Sequence, residues 1–164
     1  MIKNGKNPLI TPAMVVPSCS ELAVKGVLNP GAVEIDGEII LLLRIAEGCN
    51  EKEGKISIPI HRFKDGRREL DILHLDRDDP EVAFKDSRAV VYRGKDYVST
   101  SSHLRMARSK DGVNFEVDEK PFLVPRDESE EYGIEDARIS RIGSHYYINY
   151  TAVSRDGYGT SLVR

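Results

Sequence analysis

The chain has no tryptophan and only two cysteines, Cys19 and Cys49, in 164 residues. Neither cysteine sits in a Cys-x-x-Cys pair, so no disulfide framework is encoded and a reducing cytoplasm is the simplest location. Long apolar runs are missing too. The longest aliphatic stretch, Ile39 to Leu43, is five residues, against about 20 needed to span a bilayer. The N-terminus, Met-Ile-Lys-Asn-Gly-Lys-Asn-Pro, lacks the apolar segment of a secretory signal. There is no excess of positive charge: Lys plus Arg is 24, Asp plus Glu is 27, and the net charge is −3. Neither nucleic acid nor membrane is therefore expected as a partner. No Gly-rich phosphate loop, dinucleotide fingerprint or Gly-x-Ser-x-Gly elbow occurs. His61, His74, His103 and His145 lack paired metal-ligand spacing, so no metal is called for.

Helix signals are scarce, whereas strand signals are not. Residues 32–35, 38–43, 55–60, 89–92 and 146–150 are short and rich in β-branched or aromatic residues. Asp36-Gly37, Asp65-Gly66, Arg93-Gly94, Asp111-Gly112, Gly143-Ser144 and Asp156-Gly157 punctuate them as turns. Apolar run, Gly-containing turn, apolar run reads as a β-hairpin. Hairpin follows hairpin with no room for crossover helices, so the class is all-β with antiparallel sheets.

The hairpins repeat. Residues 86–98 (Asp-Ser-Arg-Ala-Val-Val-Tyr…) align with 136–148 (Asp-Ala-Arg-Ile-Ser…), with Asp, Arg and the second-strand Tyr in register. Asn29-Pro30-Gly31-Ala32 opens a looser third copy, and Asn7-Pro8 to Pro12 echoes Lys120-Pro121 to Pro125. The middle copy runs on through Ser99–Ser109 to Val117, giving four strands. Four antiparallel strands at a period of about 40–50 residues describe a β-propeller blade. A hairpin-built β-sandwich is the alternative, but a sandwich gives no reason to repeat a charged dyad at the same point of each unit. The predicted organisation is an extension over 1–25, blade one over 26–80, blade two over 81–125 and an incomplete third blade over 126–164.

Four polar stretches, 47–55, 64–69, 76–79 and 126–131, read as solvated loops. The chemistry-bearing residues lie at strand starts: Asp86 with Arg88, Glu135 with Asp136 and Arg138, and Arg44 at the end of a strand. Carboxylates beside guanidinium groups suit polyol recognition, since hydroxyls take charged acceptors and multi-donor forks. For Asp86 and Arg88 a salt bridge within the blade is the competing reading. Glu135 and Asp136 are adjacent carboxylates behind an acidic run, and their repulsion predicts that one holds a raised pKa. A carboxylic acid protonated near neutral pH is what glycosidic-bond cleavage requires. His103 fits either a sugar contact or a strand histidine satisfied by its neighbours.

Taken together, Asn29-Pro30-Gly31-Ala32, Leu42-Leu43-Arg44, Ser101-Ser102-His103-Leu104-Arg105-Met106-Ala107-Arg108-Ser109-Lys110-Asp111-Gly112 and Gly133-Ile134-Glu135-Asp136-Ala137-Arg138 resemble glycoside hydrolase family 130, the β-mannoside phosphorylases and related β-mannosidases. The resemblance runs from about residue 7 to the last. It implies a five-bladed propeller, of which this chain supplies about three blades, and inverting phosphorolysis of a β-mannoside oligosaccharide to α-mannose 1-phosphate. Inorganic phosphate is the implied co-substrate and no other cofactor is implied. Asp136 falls on the family's proton donor, which relays its proton through a mannose hydroxyl. Asn29 and Arg44 fall on the sugar subsite, with Asp86, Arg88, Glu135, Arg138 and His103 as further candidate contacts. Arg155 falls where phosphorylases place an arginine on phosphate. A hydrolase on the same scaffold, or a non-catalytic sugar-binding propeller, is the alternative function. Five blades need on the order of 250 residues, so the expectation is an N-terminal portion whose activity belongs to a longer parent and whose open edge favours self-association.

Overall fold

A computed structural model describes residues 5–164. The chain folds as β1 (Leu22–Ile35), β2 (Glu38–Cys49), β3 (Lys55–Lys64), β4 (Arg67–Asp76), β5 (Val82–Phe84), β6 (Ala89–Tyr92), β7 (Lys95–Val98), β8 (Thr100–Ser109), β9 (Glu116–Val117), β10 (Gly133–Ile142), β11 (His145–Ser154) and β12 (Gly157–Val163). The described residues hold no α-helix, only 3₁₀ turns at Pro12–Met14 and Glu128–Glu130. Among them, no helix is long and apolar enough to cross a membrane. The all-β class is therefore as expected.

Hairpin turns form where glycine follows a residue already in the left-handed region. Asp36 and Gly37 have φ of 52° and 79°, and Asp65 and Gly66 have 51° and 72°, the geometry that favours Asp-Gly between strands. Pairing produces the order β1-β2-β8-β10-β11-β12, with β9 on β8, and separate sheets β3-β4 and β5-β6-β7. The β8–β10 link is a single parallel pair, Ser102 with Gly133. The large sheet is thus two antiparallel units, β9-β8-β2-β1 and β10-β11-β12, whose strands pair at one position only.

This pairing differs from the sequence reading in two respects. Of the blade expected over 26–80, β1 and β2 join the large sheet while β3 and β4 form a sheet of their own. Residues 81–125 were expected to form one four-stranded unit, yet they divide. β5, β6 and β7 make their own sheet, while β8 turns away to lie along β2 over ten paired residues, Ile39–Gly48 against Thr100–Ser109. The reason is burial. Leu104 and Ala107 on β8 are fully buried, and β2 offers apolar partners on both faces, Leu42 for Leu104 and Leu43 with Ile45 for Ala107.

Side-chain alternation sorts β2 and β8 into two faces. Leu42 and Leu104 pack with Ile134, Ala137 and Tyr150 between the two antiparallel units. Leu43, Ile45 and Ala107 pack on the other side beneath Val15. A third cluster joins Ile56, Ile58, Ile60 and Leu75 of the β3–β4 hairpin to Val90, Tyr132 and Val153.

Candidate active site

β1 and β10 each carry a bulge at the same point of their hairpin. In β1, Leu28 pairs with Arg44 and Gly31 with Leu42, so Asn29 and Pro30 stand opposite one residue. In β10, Glu135 pairs with Thr151 and Arg138 with Asn149, so Asp136 and Ala137 do the same. Asn29 and Asp136 adopt φ of 35° and 53°, a left-handed conformation that Asn and Asp tolerate best among residues with a Cβ. Such strain is held in place by surrounding structure and gathers at functional sites. Gly31 makes the approach of the bulges feasible: a Cβ there would lie 2.9 Å from the Ala137 carbonyl oxygen.

The bulges bring their side chains together. Asn29 Nδ2 donates to Asp136 Oδ1 at 3.0 Å. Arg44 projects from the inter-unit face of β2 and uses every guanidinium nitrogen: Nη1 to Asp136 Oδ1 at 3.0 Å, Nη2 to Glu135 Oε1 at 2.6 Å and Nε to Ser102 Oγ at 3.2 Å. Arg88 Nη1 reaches the same Glu135 oxygen at 3.2 Å. Arg44 and Glu135 are buried to 7% and 10% side-chain exposure, whereas Asp136 keeps 38%. The cluster is an anchored guanidinium that orients two carboxylates, only one of which faces outward.

The expectation of a raised pKa is overturned for Asp136. Partial burial pushes its carboxyl up, but hydrogen bonds from Asn29 and Arg44, with the charges of Arg44 and Arg138, outweigh it and hold the pKa below the usual aspartate value. The Asn29 amide and the cations packed against Asp136, invisible in a linear charge count, reverse the sign.

The other candidates are placed as follows. Asp86 is exposed and its Oδ1 accepts the backbone N–H groups of Arg88 and Ala89, both at 2.7 Å, so it caps a turn and forms no ion pair with the Arg88 side chain. Arg138 turns back onto the carbonyls of Asp136 and Ala137. His103 lies on the opposite face of β8 from Ser102, away from Asp136. Its Nε2 accepts from Arg105 Nη2 at 3.1 Å, which leaves Nδ1–H directed to Glu47 Oε2 at 3.4 Å. Both ring nitrogens are taken, and burial, outweighing Glu47, lowers its pKa and leaves the ring neutral.

Arg155 donates through its backbone N, Nε and Nη2 to the Glu131 carboxylate at 2.9, 2.7 and 2.5 Å. These bonds raise its pKa and hold Nε and Nη2 on Glu131, while the side chain stays 55% exposed. Val153 pairs with Gly133, so Arg155 and Asp136 lie about five residue steps apart along the ladder, on the order of 15 Å.

Several partners escaped the sequence reading. Ser102 anchors Arg44. Glu130 and Glu131, assigned to a solvated loop, are buried to 2% and 3%, as is Glu47 to 2%. Glu130 accepts from Tyr150 Oη at 2.7 Å and Glu47 from Ser18. Behind β2 and β8, Glu47, His61, Arg68, Ser101 and His103 line a cavity of about 130 Å³. His61 Nε2 meets Ser101 Oγ at 2.9 Å, and burial lowers its pKa to about 4. The signal that could have found the buried acids is Ser18, Tyr150 and Arg155, each a donor set 20 or more residues away in sequence.

Comparison with known proteins adds to this geometry. The glycoside hydrolase 130 family, described as beta-1,4-mannooligosaccharide phosphorylase, matches residues 80–163. A beta-1,2-mannobiose phosphorylase from Listeria innocua is 41% identical over 163 residues, covering 96% of this chain and 45% of that protein. The solved structure of beta-1,2-mannobiose phosphorylase from Listeria innocua, in complex with beta-1,2-mannobiose, matches 98% of this chain and 46% of its own, with TM-score 0.89 and 39% identity. A glycosyl hydrolase structure from Bacteroides ovatus shares the fold at TM-score 0.59 and 20% identity, over 98% of this chain and 36% of its own. The chain spans about half the length of the Listeria protein.

Proposed function

We infer the function of this chain from one premise: it belongs to the glycoside hydrolase 130 family. The reading its site supports is inverting phosphorolysis of a β-mannoside, with inorganic phosphate as co-substrate and α-mannose 1-phosphate as product. The β-1,2 linkage is the first substrate to test, because the Listeria relative is named for it. The two antiparallel units are read as blades of the family's five-bladed propeller, with the bulged strands β1 and β10 innermost.

The observation that carries the reading is Asp136 in its strained bulge, half-exposed, with Oδ1 fixed by Asn29 and Arg44. A carboxyl so oriented can pass a proton to a mannose hydroxyl, which passes its own to the departing glycosidic oxygen. Phosphate oxygen forms the new bond to the anomeric carbon from the opposite face as the old bond breaks, and configuration inverts. Because Asp136 is anionic at neutral pH in the free protein, its proton is taken up in the ligand complex. Burial beneath a sugar raises a carboxyl pKa, and a hydroxyl drawn to Asn29 or Arg44 weakens the bonds that lower it.

The test is product analysis with β-1,2-mannobiose in phosphate buffer. Equimolar mannose and α-mannose 1-phosphate supports the reading. Free mannose as the sole product, with phosphate present, would falsify phosphorolysis in favour of hydrolysis.

A further inference from the structure

The bulge that carries Asp136 has a single residue facing it across the ladder. Glu135 pairs with Thr151 and Arg138 with Asn149, so Tyr150 alone stands opposite Asp136 and Ala137. Tyr150 is buried to 1% exposure and packs with Ala137, Leu42, Leu104 and Ile134. Its hydroxyl belongs to a closed ring of three hydrogen bonds. Tyr150 Oη donates to Glu130 Oε1 at 2.7 Å, Glu130 Oε2 accepts from the Arg126 backbone N–H at 2.8 Å, and Arg126 Nη2 donates to Tyr150 Oη at 2.7 Å. Burial and the Glu130 charge raise the phenol pKa, so the hydroxyl stays protonated and donates. Glu130 ends the 3₁₀ turn ahead of β10, and the next residue, Glu131, grips Arg155 just past the end of β11. The lead-in to β10 thus holds the β11 side at two points. The bulge of β1 has no such backing: the residue opposite Asn29 and Pro30 is Leu43, an apolar side chain with nothing to bond.

We propose that Tyr150 is a positioning residue for Asp136: locked by Glu130 and Arg126, it fixes the bulge from the β11 side and so sets the aim of the carboxyl. Asp136 holds φ of 53°, and a strained backbone persists only where its surroundings over-determine it. Gly31, Asn29 and Arg44 constrain this bulge from the β1–β2 side, and Tyr150 constrains it from the other. An apolar pair would fill the same space without burying the Glu130 carboxylate, at little or no loss of stability. What the hydrogen-bonded phenol adds is a fixed place for the ring, since its bonds are directional. Tyr150 touches no ligand and acts through the backbone opposite it. Its effect on turnover rests on the mannoside reading above, whereas its effect on the Asp136 carboxyl does not.

The experiment compares wild type, Y150F, E130Q and Y132F by carbon-13 NMR titration of the Asp136 carboxyl in the free protein, by kcat and KM for β-1,2-mannobiose in inorganic phosphate, and by thermal midpoint. In Y150F the bulge loosens, the bonds from Asn29 and Arg44 weaken, and Asp136 is expected to titrate at higher pH than in wild type. Its kcat should fall about 10- to 100-fold, the scale of a misplaced catalytic group, with KM within about twofold. E130Q keeps an acceptor for the hydroxyl, so both readouts should lie between wild type and Y150F. Y132F is the control: it deletes a tyrosine hydroxyl that donates to the Asp96 carbonyl at 3.1 Å, outside the Asp136 cluster. It should lower the thermal midpoint and leave the Asp136 titration and kcat as in wild type. An Asp136 titration unchanged in Y150F overturns the proposal, as does a rise of equal size in Y132F. A wild type that forms no α-mannose 1-phosphate overturns the mannoside reading instead, and the titration still decides the role of Tyr150.

Discussion

In the proposed reaction Asp136 must hold a proton before it delivers one, and in the free protein its carboxyl is poised the other way. Asn29 and Arg44 both bond its Oδ1, and both favour the anion. Removing one donor should therefore raise the pKa. In N29A, the Asp136 carboxyl is expected to titrate at higher pH than in wild type by carbon-13 NMR; an unchanged or lower value contradicts the assigned bond. D136N should cost about 10²- to 10⁴-fold in turnover, the usual worth of a general acid, with the thermal midpoint nearly intact because the side chain is 38% exposed. A second residue sets a pH limit on stability. His61 has a folded pKa of about 4 against 6.5 in the unfolded chain. Its contribution is complete above about pH 6.5 and is lost as pH falls towards 4, by about 3 kcal/mol in all. H61Q should flatten the stability profile across that window, as measured by urea denaturation at each pH. The residues of the Asp136 cluster were legible because charged and amide side chains stand out against the apolar beats around them, although Asn29, Arg44 and Asp136 lie inside β1, β2 and β10 and not at strand ends. The buried acids Glu47, Glu130 and Glu131 were not, because their donors come from distant segments and a run of charge looks solvated in one dimension.

At the scale of elements, the site is made by two bulges and the glycine between them. Gly31 lets β1 and β10 approach, and a methyl group there would meet a backbone oxygen at 2.9 Å that no side-chain rotation can relieve. G31A is expected to destabilise by about 1–3 kcal/mol, the usual cost of overpacking, and to lower turnover by more than the folded fraction falls. Equal losses in activity and folded fraction would reduce Gly31 to a packing position. The bulges also explain where the repeat misled. Residues 86–98 match 136–148 best in sequence, yet Asp86 caps a turn in a separate sheet. The looser copy at Asn29 is the one that shares the 136 bulge, because backbone geometry, not residue identity, is what repeats there. Hairpins could be read locally from Asp-Gly turns and apolar beats. Which hairpins would share a sheet could not, since β2 and β8 meet across about 50 intervening residues, 50–99.

At the scale of the whole molecule, two antiparallel units meet at one backbone pair, Ser102 with Gly133. Gly133 has φ of 117°, and a Cβ would lie 2.4 Å from Ser102 N. G133A is expected to cost about 3 kcal/mol or more and to separate the Arg44 side, anchored through Ser102, from the Glu135–Asp136 side. The all-β class followed from hairpin density alone, while the arrangement of the units rests on that backbone pair, on the apolar cluster of Leu42, Leu104, Ile134, Ala137 and Tyr150, and on the bonds of Asn29 and Arg44 to Glu135 and Asp136. The central claim is that Asp136, so held, is the acid of a β-mannoside phosphorylase. The most direct measurement is anomeric proton NMR of wild type and D136N turning over β-1,2-mannobiose in inorganic phosphate. The account predicts α-mannose 1-phosphate from the wild type and its near disappearance with folded D136N; undiminished product from D136N would contradict it.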